Sequence, residues 1–337
     1  MTSVQTTTAI ATEDPPVDRD GMVDRRKTAP VAGAVLVLLA LAPFVLDPNQ
    51  LNTLGRILYY GLLAAALDLL VGVVGLPSLA AAAYFAIGAY TAGLLARDVT
   101  TFAPALLLAA GAAGGIGALA SGWVAVRSRG IFFLMLTLAI GEIVFQLTQS
   151  AEGLTGGSNG LYGIPAQELG SVTLGGAASK YWWVLTGAAI GFGLVWAVAR
   201  SSFGLTLRGI RDNEERMRAI GYPTLRCTYA AYVISGAVAG MAGSLLAAQQ
   251  QIVTPADAGF GTAVLALVAV IIGGAGTLWG PVLGAAVVIL ARDEIGQSLD
   301  GHGPLLLGAV FIVSVYLLPQ GIAGALLGRR HRPGAAR

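Results

Sequence analysis

The residue types that most often carry chemistry are sparse in this sequence. It has two histidines and one cysteine, Cys227, so a histidine-rich metal site, an internal disulfide and a C-x-x-C site are all excluded. Neither of its two lysines, Lys27 and Lys180, follows the glycine that a phosphate-binding G-x-x-x-x-G-K-[ST] loop requires. With no nucleophile elbow and no paired carboxylates, we expect no catalytic residue, metal site or cofactor in this chain.

Two acidic residues, Asp68 and Glu142, lie inside long apolar stretches. An ionisable group at membrane depth is costly and often marks a transport pathway. Carboxyl groups also bond neighbouring helices and fix their packing, so both roles remain open. We predict Asp68 and Glu142 as pathway residues, together with Ser78, Gly273 and Gly274 beside breaks in the apolar runs.

The elements that hold these residues must be membrane helices. Hydrophobic residues make up 55% of the chain and charged residues 11%, whereas about 25% of an ordinary soluble domain is charged. Glycine is abundant, at 47 residues, and small residues let membrane helices pack backbone against backbone. The composition predicts an all-α integral membrane protein, a polytopic bundle.

Apolar stretches mark the helices that could cross the bilayer. A hydrocarbon core of about 30 Å needs about 20 apolar residues. Candidate spans lie at 31–48, 53–74, 78–96, 103–126, 131–149, 181–199, 227–250, 260–277, 282–295 and 304–319. We therefore predict about ten transmembrane helices, some of them broken.

The positive charges predict the orientation of these spans. With ten crossings and a cytoplasmic N-terminus, all but four of the 20 lysines and arginines fall on the cytoplasmic side, as the positive-inside rule requires. Both termini are then cytoplasmic. We expect a disordered cytoplasmic tail at 1–30, a membrane domain at 31–327 with a cytoplasmic loop at 200–226, and a basic cytoplasmic tail at 328–337.

Two stretches, Val71–Pro77 and Ile272–Pro281, each end an apolar helix in glycine and proline and then resume with small residues. Broken helices at membrane depth are tolerated where protein or a water-filled cavity satisfies the freed backbone groups, and paired breaks often mark a transport path. A tight cytoplasmic hairpin without a pathway role would give the same pattern. Both interpretations stay open.

The loop at 200–226 contains an amphipathic pattern. Its apolar residues fall on one side of a helix with a period of 3.6 residues: Leu207, Ile210, Met217 and Ile220. Asp212 and Glu215 have the spacing of an N-terminal cap, and Gly221 supplies a stop. Such a helix could dock in a protein groove or lie among lipid headgroups.

Several motifs follow one another over most of the chain beyond residue 55. These are Phe85–Tyr90, Leu136–Ile143 with Leu154–Gly160, Gly204–Gly221, Ile272–Gly284 and Pro319–Gly321. In these motifs and their order, the sequence resembles the permeases of branched-chain amino acid ABC importers. One departure is Ala80–Ala81 after Ser78–Leu79, where family members often have glycine followed by histidine or glutamine.

The resemblance implies that the loop carries a coupling helix for a cytoplasmic ATPase. The matching residues are Arg208, Ile210, Arg211, Asp212, Glu214, Glu215, Met217, Ile220 and Gly221. It also implies a second, homologous permease, an extracytoplasmic substrate-binding protein, and ATP with Mg used by the ATPase subunits. No nucleic acid partner is expected.

The implied function is import of branched-chain amino acids through a bacterial inner membrane. Two other functions fit the same residues: an ABC permease for urea or short amides, and an ion-coupled secondary transporter that uses Asp68 or Glu142 as its ion site. A non-transporting membrane scaffold is a further alternative.

Overall fold

A computed structural model describes residues 38–170, 172–295, 308, 316 and 321–326. Its helices are α1 Pro48–Asp68, α2 Ala81–Asp98, α3 Ala103–Ala125, α4 Ile131–Ser150, α5 Glu152–Thr155, α6 Ala177–Arg200, α7 Ser202–Asp212, α8 Glu214–Ala219, α9 Thr224–Gln250, α10 Phe260–Gly273, α11 Gly280–Ile289 and α12 Gly321–Leu326. Strands β1 Glu168–Leu169 and β2 Val172–Thr173 pair antiparallel. Short 3-10 helices lie at Ala42–Phe44, Gly157–Asn159 and Pro255–Ala258, and π-helical turns at Leu69–Val74 and Leu290–Ile295.

The predicted all-α membrane architecture is confirmed. Among the described residues, 5 helical segments are long and apolar enough to cross a membrane: Pro48–Val74, Ala103–Ala125, Ile131–Ser150, Ala177–Arg200 and Thr224–Gln250. Helices α10 and α11 are apolar but shorter, and α2 has 18 residues but ends in a charged pair.

The count of ten spans stays a prediction. Residues 31–37 of the predicted span 31–48 and nearly all of 304–319 lie outside the described residues, as do the predicted tails 1–30 and 328–337. Residues 38–45 belong to an N-terminal unit that is separate from the unit beginning at Leu46.

Helix α9 lies at the centre of the bundle and packs most extensively on α3 and α2. Gly236, Gly240 and Gly243 form the face of α9 that makes these contacts. A Cβ on Gly240 would lie 2.3 Å from the carbonyl oxygen of Ala110 in α3, and one on Gly243 would lie 1.9 Å from that of Phe85 in α2. Glycine is required here because the neighbouring backbones occupy the space of a side chain.

Helices α10 and α11 form an antiparallel hairpin. A Cβ on Gly284 would meet the carbonyl of Ala269, and one on Gly273 would meet that of Gly280. The chain reverses at 274–279, where Leu278 has a φ of +63°. The sequence between 260 and 295 therefore contains two packed apolar helices, α10 and α11, separated by the turn at 274–279.

Contacts at the two ends of the bundle agree with the grouping of loops that the arginine distribution predicts. At one end, Arg129 after α3 donates to Glu214 of α8 at 2.5 Å. At the other, Leu161 exchanges backbone hydrogen bonds with Val253, and Lys180 donates to Gln251 at 2.7 Å. The predicted cytoplasmic loops thus share one end and the predicted outer loops share the other.

Candidate coupling and transport sites

The loop at 200–226 folds as two helices rather than one. Ser201 begins α7, where its Oγ accepts a hydrogen bond from the backbone N–H of Gly204 at 3.3 Å. Leu207 and Ile210 are buried on α7, so they pack against this chain and are not available to a partner. The four apolar residues predicted on one side of a single helix therefore do not form one exposed face.

The predicted cap at Asp212 is also wrong. Asp212 is the last residue of α7, and the side chain of Asn213 accepts from the backbone N–H of Arg216 at 2.8 Å, which makes Asn213 the cap of α8. Burial of Leu207 and Ile210 stabilises α7 up to Asp212, and this moves the start of the next helix by one residue.

An exposed apolar group follows α8. Ile220 is 64% exposed, Leu225 47% and Tyr222 45%, whereas the sulfur of Met217 packs against Gly209. These three exposed residues lie within six positions of the chain, and a contiguous exposed apolar surface is typical of an interaction site.

The same loop carries charged residues, several of which are bonded. The carboxylate of Glu214 accepts from Arg129 at 2.5 Å, Arg218 at 2.8 Å and Thr224 at 3.1 Å. Glu215 is exposed, and Arg208 donates to the carbonyl of Ala199 at 3.4 Å. Helix α8 ends at Ala219, and the predicted stop residue Gly221 follows it with a φ of +93°. The loop therefore has three exposed apolar residues that are close in sequence, together with bonded and exposed charged residues, and the coupling role of its residues stays a prediction.

Asp68 lies where the two predicted helix breaks meet. It is fully buried, and its carboxylate accepts from the backbone N–H groups of Gly276 at 2.7 Å and Leu278 at 3.1 Å. One turn later, Gly72 lies so close to Gly276 that a Cβ on Gly72 would be 2.2 Å from the Gly276 nitrogen. Gly276 and Leu278 belong to the hairpin turn. Asp68, at the end of α1, therefore stabilises the turn between α10 and α11.

Arg211 of α7 reaches the same place from the loop. Its Nη1 donates to the carbonyl oxygen of Gly72, and its aliphatic carbons pass over Gly75, which has a φ of +86°. Despite these contacts, Arg211 is an exposed residue. One arginine thus joins the loop to the π-helical turn at the end of α1.

The other predicted pathway residues lie in different surroundings. Gly273 and Gly274 pack within the protein against Gly280 and Gly321. Ser78 is buried just before α2, where its Oγ accepts from the backbone N–H of Ala80 at 3.3 Å. The structure brings Asp68, Gly273 and Gly274 to the region of the second break but does not bring Ser78 or Glu142 there.

Glu142 lies near the middle of α4 and is exposed. Gln146 donates to it at 3.0 Å, and these two residues line a shallow depression with Ser150. Only 17% of the residues in the apolar stretch of α4 are buried within this chain. Helix α4 therefore presents a row of polar side chains, four residues apart, on an otherwise apolar surface.

Sequence patterns did not indicate Gly72, Gly276 or Leu278 as site residues, because their roles depend on contacts between segments about two hundred residues apart. The repeated Gly and Pro breaks were the available signal.

Among the described residues, no group of three or more His, Cys, Asp or Glu side chains could hold a metal ion.

The chain matches known transport proteins over most of its length. Residues 49–315 match the family described as branched-chain amino acid transport system, permease component. No solved structure is a significant match.

Curated relatives carry the same description. The permease protein LivM of the high-affinity branched-chain amino acid transport system of Escherichia coli is 28% identical over 330 residues, which cover 90% of this chain and 76% of the relative. BraD of Pseudomonas aeruginosa is 27% identical over 285 residues, which cover 79% of this chain and 91% of the relative. The match over 49–315 and the helical membrane fold lead to one conclusion: the chain belongs to the family of branched-chain amino acid transport system permease components.

Proposed function

We propose that this chain is one of two membrane subunits of an ABC importer that translocates branched-chain amino acids. The observation that carries the proposal is the family match over residues 49–315. Membership in this family implies ATPase and substrate-binding partners. In the proposed complex, ATP and Mg are bound by separate cytoplasmic ATPase subunits, and a binding protein delivers substrate from outside.

The proposed orientation places both termini and the loop at 200–226 in the cytoplasm of a bacterium, with the inner membrane as the host membrane. It is supported by the arginines that cluster at one end of the bundle. An ATPase bound at this loop would fix the orientation, because ATP is cytoplasmic.

Reconstitution tests the function. The chain is purified with its ATPase and second permease, placed in proteoliposomes with the binding protein outside and ATP inside, and supplied with radiolabelled leucine. We expect uptake that requires ATP and is inhibited by isoleucine and valine but not by urea. Uptake driven by an ion gradient without ATP, or inhibition by urea or short amides alone, would contradict the proposal.

The exposed face of α4 is proposed to line the path between the two permeases. A charged residue at the centre of a membrane helix costs about 2.5–3.5 kcal/mol on insertion scales, so the row containing Glu142 and Gln146 is unsuited to lipid. A second permease opposite this face would exclude lipid from it and leave its polar groups facing a water-filled path.

Glu142→Gln tests this role. Glutamine keeps the size of the side chain but removes its charge, and hydrogen bonds to charged groups are worth about 1.5–3 kcal/mol. We expect leucine uptake to fall about tenfold or more at unchanged membrane abundance. Glu152→Gln, which removes an exposed carboxylate just beyond α4, serves as the control and should transport normally. Normal uptake per molecule with reduced abundance of the Glu142 variant would instead indicate a packing role.

A further inference from the structure

Three elements far apart in sequence meet at one point of the bundle. The π-helical turn of α1 contributes Gly72, the turn between α10 and α11 contributes Gly276, and α7 contributes Arg211. A Cβ on Gly276 would lie 3.1 Å from the Gly72 oxygen and 3.5 Å from Nη1 of Arg211. We call Asp68, Gly72, Arg211, Gly276 and Leu278 the break contact.

Backbone groups in the break contact need partners because both helices are interrupted there. A broken helix frees N–H and C=O groups, which are costly at membrane depth unless protein satisfies them. Asp68 satisfies the N–H groups of Gly276 and Leu278, at 2.7 and 3.1 Å, and Arg211 satisfies the carbonyl of Gly72. Gly72 and Gly276 are in contact, and each is bound by one ionisable side chain: Arg211 binds Gly72, and Asp68 binds Gly276.

The environment of Asp68 indicates a structural role at the helix break rather than contact with substrate. The residue is 0% exposed, and each of its carboxylate oxygens already accepts a backbone hydrogen bond. Arg211 differs because the residue is exposed in the loop while its Nη1 donates to the Gly72 carbonyl. It is therefore suited to respond to whatever binds the loop.

We infer that Arg211 and Asp68 are positioning residues that couple movement of the loop at 200–226 to both helix breaks. When the loop moves, Arg211 displaces the end of α1 through Gly72, and Asp68 carries the turn between α10 and α11 with it. The inference rests on the proposed function in one respect, namely that the loop contacts the ATPase.

The chemistry of Arg211 makes the inference testable. Arginine presents several N–H donors on a long side chain, lysine keeps the charge with a single ammonium group, and glutamine is shorter and uncharged. Arg211→Gln should therefore break the link, and Arg211→Lys should retain part of it. Arg226→Gln is the matched control, because it removes an exposed arginine at the start of α9 that lies outside the break contact.

The measurement is leucine uptake per ATP hydrolysed by the reconstituted complex. For Arg211→Gln we expect the ATPase to remain attached and ATP hydrolysis to continue within about twofold, while uptake per ATP falls about tenfold, the scale of one lost charge-assisted hydrogen bond. Arg211→Lys should restore part of this ratio, and Arg226→Gln should match the wild type.

A double variant tests whether both residues act through one link. If they do, Arg211→Gln with Asp68→Asn should lower uptake per ATP no further than the more severe single change, because residues in one network are not additive. Multiplied losses would overturn the shared link.

Two other results would overturn the inference: an unchanged ratio in Arg211→Gln, or loss of the ATPase from that variant, which would make Arg211 a docking residue. If the wild-type chain neither binds an ATPase nor transports leucine, the proposed function fails. If the wild type couples normally and Arg211→Gln does too, only the inference fails.

Discussion

Ile220→Asp is expected to release the ATPase from the permease and to stop uptake. Ile220 is 64% exposed beside two other exposed apolar residues, Tyr222 and Leu225. In the proposed complex, the substitution would place a carboxylate in an apolar groove, and an unpaired buried charge costs about 3–5 kcal/mol. The membrane helices do not depend on this side chain, so the variant should reach the membrane in normal amounts.

A pull-down from detergent at equal permease levels measures the effect. Ile220→Leu keeps an apolar side chain and should retain the ATPase. Ile220 is a better test than Met217, which packs against Gly209 within the loop, so that a charge there would also disturb the loop itself. If the loop lies among lipid headgroups instead, the Asp variant would keep both the ATPase and uptake.

Gly240→Val is expected to prevent correct folding of the bundle. Its Cβ would lie 2.3 Å from the carbonyl oxygen of Ala110 and 3.1 Å from the Cα of Gly114, and these are backbone atoms that cannot rotate away. Overpacking costs about 1–3 kcal/mol when side chains can adjust, so moving α3 away from α9 should cost at least as much. We expect a several-fold loss of monodisperse protein and a lower melting temperature.

The control for this change is Gly193→Val in α6. A Cβ on Gly193 meets nothing within 4 Å, so the same substitution in another membrane helix should leave the yield and melting temperature unchanged. Equal yields of the two valine variants would show that the contact between α9 and α3 is not close in the folded protein.

The sequence was informative where the physical signal is local or summed over many residues. Apolar length predicted the membrane helices, and the positive-inside rule grouped Arg129 with the loop that contains Glu214, which are in fact bonded. The repeated glycine and proline breaks predicted interruptions at the ends of α1 and α10, where the structure has them.

Finer features depended on packing that no local pattern reports. Asp212 and Asn213 are both suitable caps, and the choice between them followed from burial of Leu207 and Ile210 in α7. Asp68 and Glu142 looked alike as acidic residues within apolar runs, yet one is fully buried and bonded to backbone while the other is exposed on α4. Only the neighbouring helices distinguish them.

The length of α10 relates this protein to the thickness of its host membrane. Its 14 residues span about 21 Å at 1.5 Å per residue, whereas a typical hydrocarbon core is about 30 Å thick. Such hydrophobic mismatch is relieved by local thinning of the bilayer or by placing the end of the helix below the headgroups. We expect a change in lipid chain length to act on the turn that follows Gly273, so that transport by this permease depends on the thickness of the bilayer.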